Sequence, residues 1–346
     1  MREFRFSFLV TAVCLVAAFF WGQQSPMGPW AALWIVLVLG VLEVSLSFDN
    51  AVVNASVLKH MTEFWRQMFL TVGILIAVFG MRLVFPVAIV SVASDLGVGP
   101  VIDMAINRPE EYSQALTASY PAIAAFGGMF LLLVFLNFLF DEERDLHWLG
   151  KPEEILAGMG KLDNVAIVCA LIVLFAMQWV IPETLHLTVL SAGMAGTILY
   201  IVVDSLDSVF EVEGEAESTG PAKRAGIAAF LYLEVLDASF SFDGVIGAFA
   251  ITRDVVIIML GLAIGAMFVR SMTVYLVHKG TLDEYVYLEH GAHYAIGVLA
   301  FIMLAGTVIH VPEVLTGLIG VIFIVASLYS SIRHRKANGG AIESAQ

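Results

Sequence analysis

Two short acidic stretches carry the residue types from which an ion site can be built. Leu42-Glu43-Val44-Ser45-Leu46-Ser47-Phe48-Asp49-Asn50 recurs without a gap as Leu236-Asp237-Ala238-Ser239-Phe240-Ser241-Phe242-Asp243-Gly244. The acid-to-acid spacing of six is kept and Ser-x-Ser-Phe-Asp is repeated outright. Carboxylate, amide and hydroxyl oxygens are hard ligands that suit Mg²⁺, Ca²⁺ or Mn²⁺ over Cu⁺ or Zn²⁺. Neither stretch offers a thiolate or a His pair. Carboxylates crowded in low dielectric repel one another and take up protons unless a cation compensates. Cation entry would then expel protons, so metal–proton exchange is the natural chemistry.

On an ideal helix Glu43, Ser47, Asn50 and Asn54 fall within about 40° of one another and form one oxygen-rich stripe. Glu234, Asp237, Ser241 and Gly244 form the corresponding stripe in the second copy. Asp49 and Asp243 fall off these stripes, because six residues correspond to about 600° of rotation. Either the helices unwind near Ser-Phe-Asp, where Gly244 and Gly247 would permit it, or the two Asp side chains face other helices. Arg82 and Arg270 each lie in the helix after a motif. They offer the plainer alternative of acids paired to arginines for helix assembly. Five acids (Glu43, Asp49, Glu234, Asp237 and Asp243) against these two arginines leave a surplus for a cation.

These acids sit within long apolar runs. Hydrophobic residues make up 60% of the 346 and charged residues 14%, against about 25% charged in soluble proteins. The pattern predicts an all-α polytopic membrane bundle, a single integral membrane domain over 1–346 in contact with the lipid bilayer. Ten spans are expected, near 6–22, 30–58, 67–93, 120–140, 165–181, 187–209, 227–250, 254–277, 294–310 and 312–332. Most basic residues, among them Arg66, Arg144, Lys223 and Arg335, then fall on one side, leaving Arg108 and Arg253 opposite. Both termini are therefore expected in the cytoplasm. The motifs occupy spans two and seven and run in opposite directions. This predicts inverted repeats over 30–140 and 227–332, joined through an acidic cytoplasmic linker at 210–226, a recurrent plan of secondary transporters. The first span is expected to remain uncleaved, since Gly22-Gln23-Gln24-Ser25-Pro26 offers no small-x-small site.

Other polar positions read more simply. Cys14 and Cys169 are expected to be buried, inert thiols. Asp204 and Asp207 suit a solvated helix end, and Asn137 either an interhelical hydrogen bond or a ligand. His278, His290 and His293 are expected in a wet polar loop. The net charge of −14 resides largely in loops such as Asp141-Glu142-Glu143. No phosphate loop, nucleophile elbow or metalloprotease His pair occurs, and no basic stretch points to nucleic acid. Enzyme activity and a resident cofactor are not expected, and no protein partner is indicated.

At the two motifs the chain resembles the TerC family of bacterial integral membrane proteins, within the LysE-like transporter group. Glu43 to Ala51 is similar to the family's E-x3-L-S-x-D-N pattern. Glu234-x2-Asp237-x2-Phe240-x2-Asp243 is similar to its E-x2-D-x2-F-x2-D pattern, and Phe249 to Thr252 and Arg270-Ser271 extend the likeness. The resemblance covers roughly 30–94 and 227–335. It departs where Asp243-Gly244-Val245-Ile246 replaces the family's Asp-Ser-Val-Pro, which removes a ligand and a helix breaker. The resemblance implies a bacterial inner-membrane protein exporting Mn²⁺, or alternatively a scaffold in a tellurite or metal stress-resistance complex. It carries over Glu43, Asp49, Asn50, Glu234, Asp237 and Asp243 as cation-site residues, with Asp49 and Asp243 at the core and Arg82 and Arg270 as charge partners. Reporter fusions at either terminus should report the cytoplasm, with alkaline phosphatase inactive and green fluorescent protein bright. An active phosphatase at one end alone would mean an odd number of spans.

Overall fold

The structure is a computed structural model that describes residues 4–73, 75–162, 164–212, 221–309 and 311–343. Among these residues the fold is all-helical with no strand. The α-helices are α1 (Arg5–Gln24), α2 (Pro29–Leu46), α3 (Phe48–Leu58), α4 (Glu63–Met68), α5 (Phe85–Ala93), α6 (Val98–Asn107), α7 (Pro109–Ala118) and α8 (Tyr120–Leu139). They continue as α9 (Lys151–Gly158), α10 (Val165–Met177), α11 (His186–Val212), α12 (Pro221–Ile251), α13 (Val255–Lys279), α14 (Thr281–Glu284), α15 (Leu288–Gly306) and α16 (Glu313–Glu343). Between α4 and α5 the chain winds as two π-helical segments, Phe69–Gly73 and Ile76–Val84.

Seven of the described helices are long and apolar enough to cross a membrane, or up to nine if two bent pairs each count as one span. The bent pairs are Glu63–Gly73 with Ile76–Val92, and Lys151–Lys161 with Val165–Met177. The chain is a membrane protein by this measure, with seven to nine candidate spans among the described residues against the ten expected for the whole chain. The expected span 30–58 divides at Ser47 into α2 and α3. The expected 227–250 lies inside the 31-residue α12, which carries Glu234, Asp237 and Asp243. Residues 213–220 of the expected acidic linker lie outside the described residues.

Lipid tails give little hydrophobic drive between helices, so close packing of small residues holds such bundles together. Helix α2 lies along α13 on a row of glycines. A methyl group built on Gly261 would come within 2.5 Å of Leu39 Cβ, and one on Gly265 within 2.3 Å of Glu43 Cβ and 2.9 Å of the Gly40 carbonyl. Helix α8 is buried between α11 and α15, where Gly127 and Gly128 admit Met303 and Leu304 and Gly196 admits the Phe126 backbone. Large apolar side chains such as Phe8, Trp34, Ile172, Phe175 and Ile322 are exposed on the outside, as a surface facing lipid requires. The close contact of α2 and α13 sets where Glu43 can sit. Replacing Gly265 by Val should cost about 1–3 kcal/mol or more through overpacking. Thermal melting in detergent should fall accordingly, whereas Gly158→Ala, whose added carbon meets nothing within 4 Å, should melt like the parent.

Candidate functional site

The first motif bends without losing its backbone pairing. Ser47 leaves the helical region (φ −106°, ψ 17°), while the Ser47 amide still reaches the Glu43 carbonyl at 3.0 Å and the Ala51 amide the Ser47 carbonyl at 3.2 Å. The second motif lies within α12, which runs unbroken through Gly244 and Gly247. Of the two alternatives, unwinding is thus limited to a one-residue break in the first copy.

All four residues of the first stripe, Glu43, Ser47, Asn50 and Asn54, line one cavity of about 20 Å³. Asp237 and Ser241 of α12, Arg82 of the second π-helical segment and Arg270 of α13 complete its polar wall. That volume holds one water or one bare ion. Arg82 Nη2 pairs with Glu43 Oε1, and Arg82 Nη1 donates to the Ala77 carbonyl at 2.5 Å. Ser47 Oγ donates to the same Glu43 oxygen at 3.1 Å. Across the cavity, Asp237 Oδ1 accepts from Asn50 Nδ2 at 2.7 Å and Asn54 Nδ2 at 3.0 Å. Its other oxygen accepts from Arg270 Nη2 at 2.8 Å. Each motif therefore pairs an acid with an arginine from the segment that follows it, and the two motifs are joined through Asn50, Asn54 and Asp237.

Glycines make room for these carboxylates. A methyl on Gly244 would lie 2.6 Å from Glu43 Oε2, and one on Gly73 would lie 2.5 Å from Glu234 Oε1. Glu234 does not line the cavity; it stands behind Arg270, whose Nη2 is 3.6 Å from Glu234 Oε1. Arg270 also donates to the Gly73 carbonyl at 3.1 Å and lies over the Phe69 ring, 3.6 Å from its centroid. That stacking adds a cation–π attraction. The Oδ1 atoms of Asn50 and Asn54, Ser241 Oγ and both carboxylate oxygens of Glu234 are buried without a hydrogen-bond partner. Each unpaired buried acceptor costs about 1–3 kcal/mol.

Asp49, expected at the centre of the site, faces elsewhere. Its Oδ1 accepts the Asn50 amide at 3.0 Å, and its Oδ2 approaches Gly320 of α16. It lines a second cavity of about 20 Å³ with Leu46, Phe240, Thr316 and Gly320. The reason is helical phase: on α3 the stripe through Asn50 and Asn54 faces α12, which turns Asp49 toward α15 and α16. The side chain of Asp243 lies outside the described residues. Of the six expected ligands, the cavity thus unites Glu43, Asn50 and Asp237. Among the described residues no three His, Cys, Asp or Glu side chains converge as metal ligands. Asn54, Ser47 and Ser241 belong to the cavity instead, and their place on the two stripes was the signal for them.

A second polar cluster lies away from this cavity. His290 and His293, expected in a wet loop, are buried in the first turns of α15. Glu153 of α9, itself 1% exposed, pairs with Arg144 at 2.9 Å and stands 3.6 Å from His290. His293 stacks on Phe138 at 4.0 Å. This burial overturns the solvated reading for His290 and His293, whereas His278 near the end of α13 is exposed as expected. Asn137 makes the interhelical bond, donating to Tyr200 of α11. Asp204 is exposed, while the side chains of Asp207 and Asp283 lie outside the described residues.

A family model described as "Protein of unknown function (DUF475)" matches residues 48–338. The chain belongs to that family. The matched region includes Asp49, Asn50, Asn54, Arg82, Arg270 and the whole second motif, and begins after Glu43. No curated protein and no solved structure matches the chain.

Removing one partner of a buried ion pair typically costs about 3–5 kcal/mol, because the other charge is left uncompensated. Arg82→Met alone should therefore lower thermal stability sharply, and adding Glu43→Leu should restore most of the loss. Equal destabilisation by the single and double variants would show that the pair is not coupled.

Proposed function

We propose that this protein is a secondary transporter that exports a divalent cation in exchange for protons, with Mn²⁺ first and Ca²⁺ or Mg²⁺ behind it. One observation carries the reading. The cavity between the two motifs, sized for one ion, is bordered by buried oxygens of Asn50, Asn54 and Ser241 that have no partner. These are hard oxygen donors, and carboxylates of Glu43 and Asp237 lie beside them. The preference for Mn²⁺ comes from the TerC resemblance. In this reading Arg82 and Arg270 are tethered cations that neutralise Glu43 and Asp237 while no substrate is bound. The substrate displaces Arg270 and is held by Asp237 together with the amide and hydroxyl oxygens, while Arg82 stays on Glu43. Ten spans as inverted repeats, in a bacterial inner membrane with both termini cytoplasmic, would let one repeat rock against the other around this site.

A membrane scaffold in a tellurite or metal stress complex is the second reading. The specific observation in its favour is that Glu43 and Asp237 each already have an arginine. Purified protein in liposomes separates the two. Wild type should move Mn²⁺, and an outside-to-inside pH difference should change the rate. Asn50→Ala with Asn54→Ala should cut the flux at least about tenfold, the effect of about 1.4 kcal/mol. No flux from folded wild type would favour the scaffold, and flux indifferent to the pH gradient would rule out proton exchange.

A further inference from the structure

Glu234 is the one motif carboxylate with a described side chain that is buried, outside the cation cavity and without a hydrogen bond. It is 5% exposed, and neither oxygen lies within hydrogen-bonding geometry of a donor. The backbone of Gly73 closes against Oε1. The charged groups that bear on it are Arg270 of α13, with Nη2 at 3.6 Å, and Asp237 one turn along its own helix. The adjoining π-helical segment Phe69–Gly73 contributes no titratable side chain. Asn50 and Asn54 of α3 are directed at Asp237.

Arg270 is thus shared unequally between two carboxylates. Its Nη2 lies 2.8 Å from Asp237 and 3.6 Å from Glu234, and its Nη1 is buried with no acceptor. A buried carboxylate that meets only a guanidinium at 3.6 Å, itself closer to Asp237, has exchanged its hydration for a weak and shared attraction, a cost the neutral acid largely avoids. Resting on the transport reading above, we infer that Glu234 is the proton carrier and that Arg270 is the switch coupling it to the cation. In the substrate-free state Arg270 neutralises Asp237, and Glu234 holds a proton. When a divalent cation takes the inner side of Asp237, Arg270 transfers its pairing to Glu234, and the proton of Glu234 leaves to water. The charge balances. A neutral Glu234 and a neutral Asp237–Arg270 pair, plus the dication, give a Glu234–Arg270 pair, the dication on Asp237 and one free proton. Reversal on the other side of the membrane releases the cation and reloads Glu234. The shift Arg270 must make is short, and Phe69 holds its guanidinium plane through the change.

The test uses full-length protein in nanodiscs, titrated with Mn²⁺ in weak buffer containing a pH indicator. Wild type should release about one proton per bound ion, and its apparent Kd should change about tenfold per pH unit across the range where that proton is held. Glu234→Gln should still bind Mn²⁺, with proton release near zero and a flattened pH dependence, while Glu234→Asp restores both. Proton release from Glu234→Gln equal to wild type would overturn the assignment. Infrared spectroscopy gives a readout independent of metal. The carbonyl stretch of a protonated carboxyl should be present in the metal-free wild type at neutral pH and missing from Glu234→Gln. Its absence in wild type would overturn the proposal. Wild type that shows this band but binds no Mn²⁺ would instead overturn the cation reading and the coupling, leaving a buried protonated glutamic acid.

Discussion

A carboxylate held inside a membrane has to be met by a cation, a proton or a set of donors, and the arrangement around Asp237 follows from that demand. Its two oxygens are taken by the amides of Asn50 and Asn54 and by Arg270. Those contacts tie α3, α12 and α13 into one unit and bring the two acidic motifs, 194 residues apart from Glu43 to Asp237 in the sequence, to the same cavity. Losing any of these donors would leave charge or acceptor uncompensated where water does not reach. The pairing of Glu43 with Arg82 applies the same constraint on the facing wall.

Packing then has to allow charged side chains where helices touch. Glycine supplies the space at each seat: Gly265 and Gly244 for Glu43, and Gly73 for Glu234. Together with the one-residue break at Ser47, these seats let α2 and α13 approach closely while polar side chains remain between them. The unpaired amide oxygens of Asn50 and Asn54 are a consequence. Their nitrogens are committed to Asp237, so their acceptor ends are left without a donor. Two amides with their nitrogens engaged and their oxygens free are suited to receive a cation.

Much of this was legible from periodicity. The stripe of Glu43, Ser47, Asn50 and Asn54 needs only the helical repeat, and the arginine after each motif needs only its position in the next apolar run. What periodicity cannot give is which neighbour a stripe faces. Asp49 has the residue type and spacing of a ligand, yet the packing of α3 sends it to Thr316 and Gly320. Nor does composition reveal that Glu153 of α9 is buried against Arg144 and His290, since His290 is 137 residues away in the sequence and the loop that carries Arg144 is polar.

The central claim is that both motifs together form one cation site. Anomalous X-ray scattering at the manganese edge, from crystals of the full chain grown with Mn²⁺, tests it most directly. A single strong internal peak is expected, bordered by the Asn50 and Asn54 amide oxygens, Ser241 and Asp237, with Arg270 moved toward Glu234. An empty cavity under saturating Mn²⁺, with peaks only at exposed acidic loops, would contradict it.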